Sequence, residues 1–150
     1  MNDKKPSVLF LCTGNAFRSQ MGEGLMRHLA GDRIDVFSAG SAPAGFVHPL
    51  AIRVMSEAGI DISSQRSKGL DSFGPRTFDY VMTVCDHAAT SCPALRGSVA
   101  THRWPMPDPS HEPAPDVALV RAREVRDALR GKIEAFLKTL DGAWAAGAGQ

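Results

Sequence analysis

A run of four apolar residues, Val8-Leu9-Phe10-Leu11, leads without a break into Cys12-Thr13-Gly14-Asn15-Ala16-Phe17-Arg18-Ser19. This stretch sets the terms for the rest of the chain. It reads as a buried strand, then a loop short enough to curl around its own cysteine, then a helix opening at Arg18. Backbone N–H groups of such a loop converge and form a nest that binds an anion. A helix starting at Arg18 turns its positive end on the same point. The Arg18 guanidinium adds a planar fork suited to two oxygens of a tetrahedral oxyanion. The same field favours the thiolate of Cys12, the reactive form of the side chain, and Ser19 can donate its hydroxyl to the sulfur. Gly14 and Asn15 tolerate the positive φ that a tight curl demands. Thr13, Gly14, Asn15, Ala16, Phe17, Arg18 and Ser19 are thus the candidate oxyanion-binding loop, and Cys12 its nucleophile. The alternative is a structural cysteine buried before a turn.

Downstream, apolar runs alternate with longer helical patterns, which predicts an α/β fold. The expected architecture is a single-domain open parallel sheet of about four strands with helices on both faces. Strands are expected at 7–11, 34–38, 79–84 and 99–103. Helices are expected at 18–30, with Met21, Leu25, Met26 and Leu29 on one face, at 48–58, and at 116–140. The second has Pro49 near its first turn and Gly59 as its stop. The third carries Ala122, Val125, Leu129, Ile133, Phe136, Leu137 and Leu140 at helical spacing, with Asp116 as its cap. Gly22 and Gly24 inside the first helix each cost about 1 kcal/mol relative to alanine. They mark either close packing or mere tolerance. The segment 63–78 reads as a loop or a short helix, residues 1–140 as the domain, and 141–150 as a flexible, frayed tail.

In an open parallel sheet, ligands bind beyond the carboxyl ends of the strands. Cys12, Cys85 and Asp108 all fall at that edge. A net charge of +1 with no dense basic run gives no support for a nucleic-acid partner. The four-residue apolar run near the start is too short for a signal peptide or a membrane span. A cytoplasmic protein is therefore expected, and its three cysteines point to chemistry or metal binding, since static disulfides are rare there. Zinc fits poorly, because no Cys-x-x-Cys pair is present and the five histidines are scattered. No metal and no cofactor are expected. The histidines are assigned to surface or helix faces.

The Cys12-x5-Arg18-Ser19 loop after a strand, with Asp108-Pro109 far downstream, resembles the low-molecular-weight protein tyrosine phosphatases over nearly the whole chain. Within that superfamily the chain is more similar to the thioredoxin-coupled arsenate reductases. The residues that carry this are Val81-Met82-Thr83-Val84-Cys85-Asp86-His87-Ala88, Cys92-Pro93 and Trp104-Pro105-Met106-Pro107-Asp108-Pro109. Phe17 stands where the phosphatases commonly have a second cysteine. Ser110 and His111 stand where they commonly have aromatic residues.

The resemblance implies a low-molecular-weight phosphatase-like fold. It also implies a relay in which Cys12 attacks arsenic, Asp108 supplies a proton, Cys85 attacks Cys12, and Cys92 attacks Cys85. The implied partners are arsenate, with phosphate as its analogue, and thioredoxin as the reductant of a monomeric enzyme. Some members of the family bind potassium through residues matching Asn15, Glu23 and Ser38 and an aspartate. Here Lys68 stands in the aspartate's place, so the ion site is not expected. The first alternative is a phosphatase acting on phosphotyrosine or a small phosphomonoester. The second is a non-catalytic oxyanion-binding module.

Overall fold

Ser7–Cys12 form strand β1, and all six residues are buried, as a central strand covered on both faces requires. The computed structural model describes residues 5–74, 76–84 and 100–148. Strand β2 (Asp35–Gly40), β3 (Tyr80–Thr83) and β4 (Ala100–Arg103) complete a parallel sheet of order β2-β1-β3-β4. β1 ends on Cys12 itself, paired with Gly40, one residue beyond the sequence expectation. β2 starts one residue later than expected and runs two residues further.

Alternation of side chains across the sheet divides the core in two. Val8, Phe10, Val36 and Met82 face a cluster fed by all three helices: α1 (Arg18–Ala30), α2 (Pro49–Glu57) and α3 (Pro115–Ala148). Leu9, Leu11, Ala39 and Val81 face the other side. There the described residues supply Phe78, Leu70 and Phe73 as cover. A short 3-10 turn, Leu70–Phe73, is the only helical piece of the 63–78 segment among the described residues.

The glycines of α1 are explained by close packing. A Cβ on Gly22 would lie 2.5 Å from the Phe10 ring, and one on Gly24 would lie 2.5 Å from Ile62 Cγ2. Both β1 and the 60–65 segment therefore sit closer to α1 than an alanine would allow. α2 begins behind His48, whose Nδ1 accepts the Leu50 N–H, with Pro49 in the first turn. Its end depends on Gly59, held at φ +80°, while the Ile60 N–H turns back to the Met55 carbonyl.

Two expectations about α3 require correction. Its first residue is Pro115, so Asp116 lies inside the first turn and complements the helix dipole there instead of capping it. The proline's fixed φ suits the first helical position. At the other end the helix runs on through Ala148, where a frayed tail was expected from 141. Extending an existing helix adds one hydrogen bond per residue fixed, and alanine loses least in doing so.

Candidate active site

The loop between β1 and α1 is shaped from behind. The carbonyls of Cys12, Thr13, Gly14 and Ala16 accept hydrogen bonds from the N–H groups of Ser41, Ala42, Ala44 and His48, at 3.1, 2.8, 2.8 and 2.8 Å. Ser67 Oγ also donates to the Gly14 carbonyl. With the Gly14 oxygen fixed on the 41–48 side, the shared peptide plane turns the following N–H the other way, toward the sulfur. The Asn15 N–H accordingly points at Cys12 Sγ, at 3.2 Å. Gly40 has to be glycine for this splint to approach, since a Cβ there would lie 2.5 Å from the Thr13 carbonyl oxygen.

Asn15 is the keystone of the curl. It is wholly buried and sits at φ 47°, a left-handed conformation that asparagine tolerates better than most residues. Its Oδ1 accepts from Gln20 Nε2 and from the Lys68 N–H, and its Nδ2 donates to Ser19 Oγ at 2.8 Å. Ser19 Oγ thus accepts a hydrogen bond from one side and can donate its own hydrogen to Cys12 Sγ, 2.9 Å away. The thiol is 2% exposed and lies at the opening turn of α1, which starts at Arg18 as the sequence predicts.

Arg18 is held by groups from the far edge of the sheet. β4 leads into a strap whose Trp104 and Met106 N–H groups bond to the Thr83 and Val84 carbonyls. The strap brings the Met106 carbonyl to 3.0 Å from Arg18 Nη1 and Asp108 Oδ2 to 3.3 Å from Nη2. Asp108 then caps a 3-10 turn, Pro109–His111, through Ser110. Its Oδ1 accepts the Ser110 N–H at 3.0 Å and the Ser110 hydroxyl at 2.6 Å. Burial by itself raises the proton affinity of this carboxyl. The Ser110 hydroxyl and amide, Arg18 and His111 together outweigh that and leave its pKa below the ordinary value.

Cys12, Arg18 and Asp108 open into one cleft of about 570 Å³, together with Thr13, Gly14, Ala16 and Phe17. Asn15 and Ser19 stand behind it and hold the sulfur. The structure thus brings together the whole Cys12–Ser19 loop and Asp108. Cys85 and Cys92, the other two members of the expected relay, lie outside the described residues.

The remaining walls were not expected from sequence. Ala44, Phe46, His48, Ser110 and His111 complete the cleft, so His48 and His111 belong to the site and not to a passive surface. Phe46 is 54% exposed on the rim, and the His48 ring stacks obliquely on Phe17 at 5.0 Å. Burial pushes the His48 imidazole below its ordinary pKa, against the pull of the Asp108 charge. The signals available were His48-Pro49 at the start of an apolar helix and His111 three residues after Asp108.

Lys68 reaches under the loop. Its Nζ lies 2.9 Å from the Arg66 carbonyl oxygen, 3.3 Å from Ser38 Oγ and 3.6 Å from Glu23 Oε1, and Ser38 Oγ donates to the same Glu23 oxygen. A separate potassium ion does not fit here, because the ammonium already sits among the oxygens that would ligate it.

The fold and cleft define a class: an α/β protein with a thiol set in a tight strand-to-helix loop at the carboxyl edge of a parallel sheet. The chain belongs to the low molecular weight phosphotyrosine protein phosphatase family, whose model matches residues 7–144. It is 40% identical over 136 residues to an arsenate reductase of Halalkalibacterium halodurans, covering 90% of this chain and 97% of that protein. A solved arsenate reductase in the phosphate binding state superposes with a TM-score of 0.76 at 32% identity, covering 89% of this chain and 98% of that one. A thioredoxin-dependent arsenate reductase of Corynebacterium glutamicum superposes with a TM-score of 0.74 at 31% identity. That match covers 95% of this chain and 65% of the other.

Proposed function

We propose that this protein reduces arsenate to arsenite, with Cys12 as nucleophile and thioredoxin as the source of electrons. The observation that carries the reading is the Cys12 sulfur, held by Ser19 and the Asn15 N–H, at the floor of a cleft that also presents Arg18 and Asp108. Arsenate matches phosphate in shape and charge, so the loop N–H groups and the Arg18 fork receive it. The Cys12 thiolate forms a sulfur–arsenic bond as a hydroxyl leaves as water with a proton from Asp108.

The resting Asp108 is ionised, which suits a partner of Arg18 but not an acid. Binding a doubly charged oxyanion engages the Arg18 donors and sets negative charge beside Asp108. Both changes raise its affinity for a proton. The substrate thus prepares the acid that acts on it.

Arsenic(V), unlike phosphorus, can accept two electrons. The Cys85 thiolate attacks the Cys12 sulfur, a disulfide forms, and the sulfur–arsenic bonding pair passes to arsenic, which leaves as arsenite. Cys92 attacks Cys85 and releases Cys12 as thiolate. The Cys85–Cys92 disulfide then takes two electrons from the thioredoxin dithiol by exchange. The support for thioredoxin is the likeness to the Corynebacterium glutamicum enzyme. We place the reaction in the cytoplasm, in a monomer; among the described residues no helix is long and apolar enough to cross a membrane.

Slow hydrolysis of a small aryl phosphate accompanies this activity, since Cys12, Arg18 and Asp108 suffice for it. The deciding experiment measures arsenite release with thioredoxin, thioredoxin reductase and NADPH, against glutaredoxin with glutathione. Turnover with the first system supports the proposal. Phosphomonoester hydrolysis with no arsenate-dependent consumption of NADPH would overturn it in favour of a phosphatase.

A further inference from the structure

Glu23 is a carboxylate buried on the first helix, with only 7% of its side chain exposed. Such a group requires compensation, because burying an unpaired charge is costly. One oxygen, Oε2, meets Arg27 Nη1 at 2.7 Å on the solvent side. The other, Oε1, accepts from Ser38 on β2 and faces the Lys68 ammonium. Lys68 adds two contacts of its own, to Ser38 Oγ and to the Arg66 carbonyl. Its ammonium thereby joins α1, β2 and the 66–68 segment at one point. Burial pushes its pKa down, Glu23 pulls it back up, and Arg27 opposes the charge.

The 66–68 segment matters because of what its backbone does next. The Lys68 N–H donates to Asn15 Oδ1 at 2.8 Å. The Arg66 carbonyl accepts from Gln20 Nε2, which also binds Asn15 Oδ1. Asn15 Nδ2 then donates to Ser19 Oγ, which stands 2.9 Å from the Cys12 sulfur. A continuous line of polar contacts therefore runs from the ammonium to the nucleophile: the anchored 66–68 backbone fixes the Asn15 amide, the amide fixes the Ser19 hydroxyl, and the hydroxyl faces the thiol.

We propose that Lys68 is a positioning residue for the nucleophile, a cation tethered to the chain that sets the Asn15–Ser19–Cys12 alignment from behind the cleft. Lys68 does not line the cleft, so its effect is exerted through Asn15 and not on the bound oxyanion. The inference takes Cys12 as the nucleophile but is independent of the electron acceptor. Its test therefore reads the sulfur directly.

In a background where Cys85 and Cys92 are serine, Cys12 is the sole thiol, and its alkylation by iodoacetamide at neutral pH reports how the sulfur is presented. Lys68→Met keeps the stem and removes the charge, and should slow alkylation about tenfold. Tens of millimolar ammonium or potassium should restore most of the rate in this variant, while tetramethylammonium, too large for the vacated space, should not. Lys68→Arg should fall between the two. The unchanged lysine protein should show no response to ammonium or potassium beyond that of ionic strength. If Lys68→Met is unfolded in dilute buffer, its melting temperature is followed against the same cations, and a rise with ammonium but not tetramethylammonium supports the proposal. An alkylation rate equal to that of the lysine protein would overturn it. So would a slowing, or an unfolding, that neither small cation reverses. Absence of arsenate reduction in the unaltered protein, with Lys68→Met still slowing Cys12 alkylation in the serine background, would instead count against the function proposed above and leave the role of Lys68 standing.

Discussion

Arg18 Nη2 and Asp108 Oδ2 lie 3.3 Å apart although 90 residues separate them in the chain. The pair joins the first βα turn to the strap after the last strand and closes the cleft between them. Under the proposed mechanism Asp108 passes through two charge states: ionised as the partner of Arg18, then protonated once an oxyanion engages the arginine. Activity should therefore fall as pH rises through the Asp108 pKa of the complex. Asp108→Asn should lower kcat for arsenate roughly 10²-fold and erase that alkaline limb. Steady-state rates across pH check both points, and an asparagine variant that keeps the limb would remove Asp108 as the acid.

The sulfurs should divide the work. Cys12→Ser should abolish arsenate reduction and aryl phosphate hydrolysis together. Cys85→Ser or Cys92→Ser should stop repeated turnover of arsenate and leave the hydrolysis largely intact. One turnover of Cys92→Ser should trap a Cys12–Cys85 disulfide, which peptide mass spectrometry detects. Loss of hydrolysis in a folded Cys85 or Cys92 variant would contradict the separation of roles.

His48 holds the start of α2 only when neutral, because its Nδ1 must accept the Leu50 N–H. Its pKa is lowered in the folded protein, chiefly by burial, so the folded state binds fewer protons here than the unfolded chain. The cap's contribution is thus complete above the ordinary histidine pKa and lost as pH falls through the lower, folded one. His48→Ala should cost about 1 kcal/mol, and His48→Asn, which restores a capping acceptor, should recover most of it. Denaturant melts at pH 8 and pH 5 test this, with the alanine variant losing less stability on acidification than the histidine protein.

Three glycines should respond oppositely to alanine. Gly22→Ala and Gly24→Ala gain about 1 kcal/mol of helix propensity. Each also forces a methyl against Phe10 or Ile62 at 2.5 Å, a clash that costs up to about 3 kcal/mol. Both should lower the melting temperature. Gly131, within α3, has nothing within 4 Å of its added Cβ, so Gly131→Ala should stabilise by about 1 kcal/mol. Stabilisation by all three would mean that α1 packs more loosely than described.

The β1–loop–α1 unit was legible to within one residue, with the strand reaching Cys12 and the helix starting at Arg18, because a strand, a curl and a helix adjacent in sequence leave little freedom in register. Asp108 was legible through its place after β4. The cleft's aromatic side was not. Phe46 and His48 reach the site because the 41–48 segment runs alongside the loop carbonyls, a tertiary pairing with no local periodicity to announce it. The tail was misread for the opposite reason. Its small residues carry no apolar stripe, yet alanine needs none to continue a helix already under way.

The backing row of N–H groups from Ser41 to His48 bears on selectivity. Because it holds the loop open for a tetrahedral anion before any arrives, association requires little reorganisation, and phosphate presents the same charge and outline as arsenate. Discrimination must come afterwards, from whether the central atom can take up an electron pair. Phosphate is then an unavoidable competitor that dissociates unchanged, and the working rate in a cell is set by the ratio of the two anions more than by the amount of either.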